Sequence, residues 1–540
     1  MTDIEIPLGK RSKLYRAFEI VPGALSIAAV VLLIVLFFVS PLWASIYVLV
    51  IVSITFIRSL MLAFRTIQGR IVYEQSRNVD WAGWLQELED PLHYAELHAG
   101  DLHSLQYGLR QHVLNLQEIC RIPEQYPKPS ELYHAVVICV VNESYDTLGP
   151  TVQSLLDSEY DPKRLIVTIA YEERSAQESA ETRRRIAEDF TGKFLDLLFF
   201  GHPAGLPGEV IGKGPNLSHA GRQLALYLQE KQISPHNVIM TELDSDNRPD
   251  PKYFPYLSYA WITTLDRQQV SFQPICLFTN NIWDAPAPMR VIATSNSLWN
   301  MILSQRTYAL RNAFSHAQGM QALIGMNFLS TRTIVEDGHQ YWRSYLYFNG
   351  HYRMVSLRIS IGQDVVLSKT YGSTLLSQFR QTRRWAYSAA DIAFVASHLF
   401  SRDRTVRFWP LFARWMRLVN NTFTWAAIPV IIALGGCLPW LLSATALHSL
   451  RILQVPQAIT LVQRVATVGL IVTMLTALTL LPPRPERYPK SYRLTMLLQW
   501  ILLPITTLAY LSMGAYNAQI HLMLGKYLGH FEVTEKFVKK

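Results

Sequence analysis

Residues 238–250 read VIMTELDSDNRPD, and the interpretation of the whole sequence starts from this stretch. The apolar residues 238–240 predict a buried strand, and Asp244 and Asp246 stand two residues apart where it ends. Side chains of a strand alternate in direction, so both carboxylates can reach one locus. Such hard oxygen ligands suit Mg²⁺ or Mn²⁺, ions that are often shared with a substrate phosphate. A solvated acidic turn is the alternative.

Apolar residues are concentrated in long runs toward both ends of the sequence. Half of the 540 residues are apolar, and the formal net charge is +9. Uncharged runs occupy 20–57, 418–447, 465–483 and 494–520. Runs of this length predict membrane spans, and the positive balance beside them favours contact with anionic lipid. No zinc-finger or RNA-recognition signature is present, so no nucleic-acid partner is expected.

The first run predicts two helices, near 20–39 and 42–60, with the turn at Pro41. Basic residues at 10–16 precede the first helix, and Arg58, Arg65 and Arg70 accompany the end of the second. Positively charged flanks predict the cytosolic side of a membrane. We therefore expect a multi-pass protein of the cell membrane whose large middle region is cytosolic.

Strands and helices alternate from residue 134 onward. The pattern predicts strands at 135–141, 165–170, 194–200 and 237–243, with helices at 147–157, 176–190 and 216–229. This alternation is typical of an α/β domain with a mainly parallel sheet, and ligands bind such sheets beyond the carboxyl ends of the strands. The chemistry is therefore expected at 142–144, 172–174 and 244–246, and each of these segments contains a carboxylate.

Several motifs occur in a fixed order along this region. They are VVNES at 140–144, AYEERS at 170–175, GKGPN at 212–216, DSD at 244–246, GMNFLSTR at 325–332, GQDVVL at 362–367 and QTRRW at 381–385. Together they resemble the membrane-embedded family 2 glycosyltransferases that are related to cellulose, hyaluronan and chitin synthases. The last motif matches the family's Q-x-x-R-W signature fully. Two departures are that Glu172 and Glu173 stand where the family often has paired aspartates, and that its T-E-D triplet is replaced by Gly362, Gln363 and Asp364.

This resemblance implies a Rossmann-like GT-A domain and a role for each motif residue. It implies donor binding by Glu143, Glu172, Glu173, Lys213, Asp244 and Arg384, acceptor binding by Gln381, Trp385 and Asn327, and metal binding by Asp246 with Asp244. Asp364 is the expected general base, because an acceptor hydroxyl must lose a proton as it attacks the anomeric carbon. The alternative interpretations are a helix N-cap for Asp364, a surface lysine for Lys213, and an interfacial basic helix for Gln381–Trp385.

The resemblance also bears on the domain boundaries and on the C-terminal tail. The expected units are a helix pair at 1–64, a helical lead-in at 65–132, the GT-A domain at 133–400, and an interfacial helix with a membrane region at 401–540. Basic residues at 484–493 put that loop inside, so a single crossing by 494–520 would put the tail outside. Yet the tail, FEVTEKFVKK, resembles a cytosolic F-x-V-T-x-K segment of the related synthases. We expect a cytosolic tail, with 494–520 either broken at Pro504 or accompanied by another crossing.

Three functions remain open from the sequence. The first is an inverting transfer of sugar from a nucleotide-sugar, a UDP-sugar by preference, to a growing polysaccharide that leaves through the chain's own helices. The second is the transfer of one sugar to a lipid-linked or glycan acceptor. The third is a transporter, against which the apolar runs offer no charged residue for an ion relay. No serine or cysteine nucleophile with a histidine partner is evident, which favours direct attack by the acceptor.

Overall fold

The computed structural model describes residues 4–442, 471–472, 474–529 and 536–537. Residues 465–470 and 473 of the predicted span at 465–483, and most of the C-terminal tail, lie outside these residues. The strands are β1 Tyr133–Val140, β2 Leu165–Glu172, β3 Asp196–His202, β4 Val238–Asp244, β5 Arg248–Pro249, β6 Val270–Phe278, β7 Ala317–Gly319 and β8 Arg353–Gln363.

The helices before the sheet are α1 Lys13–Val39, α2 Pro41–Arg77, α3 Trp81–Glu87, α4 Pro91–Leu97 and α5 Leu109–Arg121. Those between the strands are α6 Tyr145–Leu156, α7 Ala180–Phe190, α8 Lys213–Glu230, α9 Tyr253–Ile262, α10 Ala287–Ser304, α11 Met320–Gly325 and α12 Glu336–Tyr347. Those after the sheet are α13 Tyr371–Ala386, α14 Asp391–Leu399, α15 Phe408–Leu442 and the C-terminal helical run Tyr492–Met523.

The eight strands form one mixed sheet in the order β3-β2-β1-β4-β7-β6-β8-β5. Strands β3, β2, β1 and β4 are parallel to one another, and β6 is parallel to β8. The short β7 runs antiparallel to both β4 and β6, so β4, β6 and β8 point the same way. The prediction of an α/β domain with a mainly parallel sheet between terminal apolar helices is confirmed.

Both faces of the sheet are covered, which explains the apolar strands. Val136 and Ile138 of β1 face a cluster that includes Val113 and Leu116 of α5. On the opposite face, Ala135 and Val137 of the same strand pack with residues of α8 and α11. The lead-in helices therefore belong to the core of the α/β domain, and α2 continues past the expected boundary at residue 64.

Four helices of the described chain are long and apolar enough to cross a membrane: Lys13–Val39, Pro41–Arg77, Phe408–Gly435 and Tyr492–Met523. The predicted turn at Pro41 is confirmed, because α1 ends at Val39 and Pro41 occupies the first turn of α2. Proline is favoured there because its missing N–H would have no helical partner.

The C-terminal helical run stays helical through Pro504 but changes geometry along its length. A 3-10 segment, Gln499–Leu502, precedes Pro504, and a π-helical segment, Thr507–Ser512, follows it. At one end, the hydroxyl of Tyr492 accepts a hydrogen bond from Arg290 of α10, at 2.7 Å. At the other end, Arg16 at the start of α1 donates to the carbonyls of Leu522 and Met523, at 3.0 and 2.9 Å. Irregular turns of this kind bend helices, and the contacts hold one end beside α10 and the other beside the start of α1.

Candidate active site

Strands β1, β2, β4 and β8 all end at one edge of the sheet, and a cleft opens there. The residues that line it come from these strand ends, the start of α8, the segment after β8, helix α13 and the C-terminal tail. They are Cys139, Val141, Glu143, Glu172, Arg174, Gly212, Lys213, Asn216, Asp244, Ser245, Asp246, Phe278, Phe314, Gln363, Asp364, Val365, Val366, Gln381, Arg384, Trp385 and Lys536.

Asp244 is held by a lysine at the beginning of α8. The Nζ atom of Lys213 lies 3.0 Å from a carboxylate oxygen of Asp244, and the side-chain amide of Gln363 donates to the other oxygen at 3.5 Å. Burial alone would raise the pKa of Asp244, but the ammonium groups of Lys213 and Lys536 outweigh burial and lower this pKa to about 2. Gln363 stands where the T-E-D triplet of the family described above has a glutamate. Its side-chain amide donates a hydrogen bond to Asp244, whereas a glutamate at this position would repel Asp244.

Asp246 is buried and points both of its oxygens at groups that carry positive or partial positive charge. Lys536 of the tail lies 2.9 Å from Oδ1, and the backbone N–H of Asp364 donates to Oδ2 at 3.2 Å. The side chain of Asn280 donates to the backbone carbonyl of Asp246 at 2.8 Å and fixes the turn. Each aspartate therefore has one oxygen beside a lysine ammonium, and the position of the Lys536 ammonium marks a place where Asp246 accepts a cation.

Asp364 follows the end of β8 and faces the same cleft. Its Oδ1 atom is buried and has no hydrogen-bond partner. Burial and the neighbouring carboxylate of Asp246 raise the pKa of Asp364 to about 7. Asp364 caps no helix, since α13 begins at Tyr371 with Thr370 as its N-cap. The side chain of Asn281 instead clamps the next residue, accepting from the N–H of Val365 at 2.6 Å and donating to its carbonyl at 3.0 Å.

Helix α13 brings the Q-x-x-R-W residues to the opposite wall of the cleft. Gln381, Arg384 and Trp385 all line it, as expected for residues spaced i, i+3 and i+4 on one helical face. The guanidinium of Arg384 lies close enough to Asp244 to help lower its pKa. The ring of Trp385 meets Phe314 edge to face, with centroids 5.7 Å apart, and Phe278 at 6.2 Å. These contacts fix the indole as a rigid apolar platform.

The acids at the ends of β1 and β2 have local partners of their own. Glu143 folds back, and its Oε2 accepts hydrogen bonds from the N–H groups of Val141 and Asn142, at 2.6 and 3.1 Å. Glu172 is buried and lies 3.4 Å from His202 of β3. Burial opposes the charged form of His202, but Glu172 and Glu209 outweigh it and raise the pKa of this histidine. Both acids line the cleft while also holding the strand ends.

Two of the predicted site residues do not reach the cleft. Glu173 and Asn327 are both exposed, and neither lines it. Asn327 has a positive φ of 55° and accepts a hydrogen bond from Arg222 at 3.1 Å. Asparagine tolerates this left-handed conformation better than most residues, so its evident task is the turn that follows α11.

Lys536, Phe278 and Phe314 also line the cleft, and the sequence analysis assigned none of the three to the site. Lys536 is the lysine of the F-x-V-T-x-K segment, which the sequence analysis used only for the topology of the tail. It is nearly 300 positions from Asp246. The tail is attached by the N–H of Phe537, which donates to the carbonyl of Leu367 at 3.0 Å, three residues after Asp364. The described end of the tail is therefore in contact with the segment that follows β8.

No family model matches this chain, and a search of curated proteins gives no match. Among solved structures, a mannosyltransferase from Pyrobaculum calidifontis in complex with GDP-Man and Mn²⁺ is 14% identical, with a TM-score of 0.42, over 85% of this chain and 99% of that one. S. aureus TarS 1–349 in complex with UDP-GlcNAc is 13% identical, with a TM-score of 0.32, over 74% of this chain and 93% of that one. GalNAc-T7 with UDP, GalNAc and Mn²⁺ is 9% identical, with a TM-score of 0.30, over 54% and 56%. With TM-scores below 0.5, these likenesses identify neither a family nor an activity for this chain.

Proposed function

We propose that this chain is an inverting, metal-dependent family 2 glycosyltransferase with a GT-A domain, which moves a sugar from a nucleotide-sugar, by preference a UDP-sugar, to a growing polysaccharide. The observation that carries the proposal is the convergence of Asp246, Asp364 and the Gln381–Trp385 face on one cleft from three distant segments. We further propose that the α/β domain is cytosolic and that the apolar helices hold it at the cell membrane.

The donor would occupy the wall formed by the strand ends. Asp246, with Asp244 nearby, would hold Mg²⁺ or Mn²⁺, and such an ion would neutralise charge on the leaving diphosphate. Lys213 and Arg384 add two positive side chains beside these aspartates. A guanidinium can bind diphosphate oxygens with two parallel hydrogen bonds, so Arg384 suits this position.

The acceptor would enter against Trp385, whose flat apolar ring suits the face of a pyranose. Asp364 would then take the proton of the attacking hydroxyl through its unpartnered Oδ1. The hydroxyl oxygen forms a bond to the anomeric carbon as the bond to the diphosphate breaks, and the nucleoside diphosphate leaves with the bonding electrons. A single displacement of this kind inverts the configuration at the anomeric carbon.

One observation favours the second candidate, transfer of a single sugar to a lipid-linked or glycan acceptor. Export would need polar side chains facing a path between the membrane helices. Several polar side chains of the C-terminal helical run instead bond to helix backbones. Thr506 donates to Leu503, Ser512 to Ala426 and Tyr516 to Ser26, at 3.1, 2.8 and 3.1 Å. Pairing of this kind packs helices together.

The test is a panel of nucleotide-sugars given to purified protein with Mn²⁺, with Mg²⁺ and with excess EDTA. We expect at least one donor to release its nucleoside diphosphate, and we expect EDTA to stop this release. Product size then separates the two candidates, since a polymerase makes long glycans and a single transfer adds one sugar. Absence of turnover with every donor, or full turnover in EDTA, contradicts the proposal.

A further inference from the structure

A cluster of two histidines and a glutamate lies on the lead-in helices, outside the cleft. Glu87 ends α3, His98 precedes the 3-10 segment Ala99–His103, and His112 lies in α5. One ligand atom from each residue lies within 4.8 Å of the other two, which no other such trio does in the described part of the chain. We propose that Glu87, His98 and His112 bind a borderline transition-metal ion, Zn²⁺ being the best fit.

The distances in the cluster are close to those around a tetrahedral ion. Glu87 Oε2 lies 2.7 Å from His112 Nε2 and 3.2 Å from His98 Nε2. With metal–ligand bonds of about 2.0–2.1 Å, two ligand atoms of a tetrahedral Zn²⁺ site are roughly 3.3–3.4 Å apart. The pair formed by Glu87 and His98 is already near this separation, and the pair formed by Glu87 and His112 needs to open by about 0.6 Å. The ligand atoms of the two histidines lie within 4.8 Å of each other.

In the neutral ring of His98, Nε2 is a hydrogen-bond acceptor without a donor. Its Nδ1 lies 2.8 Å from Asp101, and a carboxylate only accepts hydrogen bonds, so Nδ1 carries the proton. In the neutral ring the Nε2 lone pair then faces the Glu87 carboxylate. This Nε2 is shielded from solvent and makes no aligned hydrogen bond. A cation between the two acceptors would satisfy both, and an Asp–His pair of this type commonly orients a metal-bound imidazole.

His112 is held rigidly by the core of the α/β domain. Its ring is fully buried and stacks on Trp84, with centroids 4.6 Å apart and planes 3° from parallel. Its Nδ1 lies 3.0 Å from the hydroxyl of Tyr259 in α9, which leaves Nε2 directed at Glu87. A bound ion would therefore cross-link α3, the 3-10 segment and α5, and through His112 and Tyr259 this group of helices contacts α9.

The chemistry of these ligands separates this cluster from the cleft. Imidazole with one carboxylate suits Zn²⁺, Co²⁺, Ni²⁺ or Cu²⁺, whereas carboxylates alone suit Mg²⁺ and Mn²⁺. Three protein ligands leave a fourth position for water. Since Glu87, His98 and His112 do not line the cleft, the proposed ion is separate from the site proposed for sugar transfer.

The experiment uses full-length protein in detergent, stripped of metal and titrated with Zn²⁺ against a chromogenic chelator. We expect one Zn²⁺ per chain, and we expect Co²⁺ at the same site to give the visible absorption of a tetrahedral complex. His98→Gln should weaken Zn²⁺ binding by about 100-fold or more and remove the Co²⁺ spectrum. Asp101→Asn should weaken binding by about 10–100-fold, the usual effect of losing a partner of a metal-bound histidine.

Two controls make the result decisive. His93→Gln changes an exposed histidine of the neighbouring helix α4 and should leave Zn²⁺ binding unchanged. Asp246→Asn should also leave it unchanged, because that carboxylate belongs to the cleft. Loss of Zn²⁺ binding in Asp246→Asn but not in His98→Gln overturns the proposal. So does the absence of Zn²⁺ binding at micromolar concentration, in which case the cluster is a hydrogen-bonded pair of histidines sharing Glu87.

Discussion

The two walls of the cleft differ in their side chains: one has pairs of aspartate and lysine, and the other has packed aromatic rings. On the wall of strand ends, the two aspartates each face a lysine, Asp244 with Lys213 and Asp246 with Lys536. On the wall of α13, Trp385 is packed by Phe278 and Phe314. Charge compensation suits a phosphorylated, metal-bound donor, and a rigid aromatic surface suits a sugar ring. Under the proposed function, variants on the two walls should therefore disturb donor and acceptor contacts separately.

The largest effect is expected from Asp246→Asn on the donor wall. Losing the carboxylate removes the proposed metal ligand, and stabilisation of the leaving group by a cation amounts to several kcal/mol, so turnover should fall by about 10³-fold or more. The fold should persist, as measured by thermal unfolding, because the amide can keep the hydrogen bond from the N–H of Asp364.

Glu173→Gln is the matched control for this variant. Glu173 is a motif carboxylate that lies exposed outside the cleft. The Glu173→Gln variant should keep turnover close to that of the unaltered protein. Equal losses in both variants would show that the cleft is not where the chemistry occurs.

Asp364→Asn should also lower turnover, and it should separate the two walls. Loss of a general base typically lowers the rate by ~10²–10⁴-fold. Since the proposed function has Asp364 act on the acceptor, kcat should fall while binding of the nucleotide, measured calorimetrically with Mn²⁺, stays within a few-fold. Simultaneous loss of nucleotide binding would assign Asp364 to the donor wall instead.

Trp385→Ala should have a smaller effect, confined to the acceptor. Removing an aromatic platform costs on the order of 1–1.5 kcal/mol beyond area burial, so KM for the acceptor should rise by about tenfold. A polymerase should also make shorter chains. Trp385→Phe should recover much of the loss, and an unchanged acceptor KM in Trp385→Ala would remove the indole from the acceptor site.

The sequence predicted the strand-end wall well because its signals are local. An apolar strand followed at once by Asp244 and Asp246 places both carboxylates through backbone geometry alone. Parallel strands then bring Glu143 and Glu172 to the same edge. Gln381, Arg384 and Trp385 were placed together by helical spacing. These predictions needed only the helical repeat, which puts i, i+3 and i+4 on one face, and the shared direction of parallel strands.

The residues that the sequence missed depend on contacts between distant segments. Phe278 and Phe314 support Trp385 across about 70–110 positions, and their own neighbours in sequence show no motif. Glu87, His98 and His112 have no regular metal-ligand spacing, since three different elements supply them. Asn327 was assigned to the acceptor from its motif, but the structure places it on an exposed turn outside the cleft.

Lys536→Ala should give the smallest change, and its sign distinguishes two roles for the tail. The Lys536 ammonium sits on Asp246 Oδ1 and also donates to the hydroxyl of Ser245, both at 2.9 Å. A divalent ion that binds Asp246 at this oxygen must displace the Lys536 ammonium.

If this displacement costs about 1 kcal/mol of the free energy of metal binding, removing the lysine should lower the Mn²⁺ concentration for half-maximal turnover roughly fivefold. Lys540→Ala, in the same tail and of the same charge, should leave this concentration unchanged. If Lys536→Ala instead lowers turnover and weakens donor binding at saturating Mn²⁺, the lysine serves the diphosphate, and the tail belongs to the donor wall rather than competing with its metal.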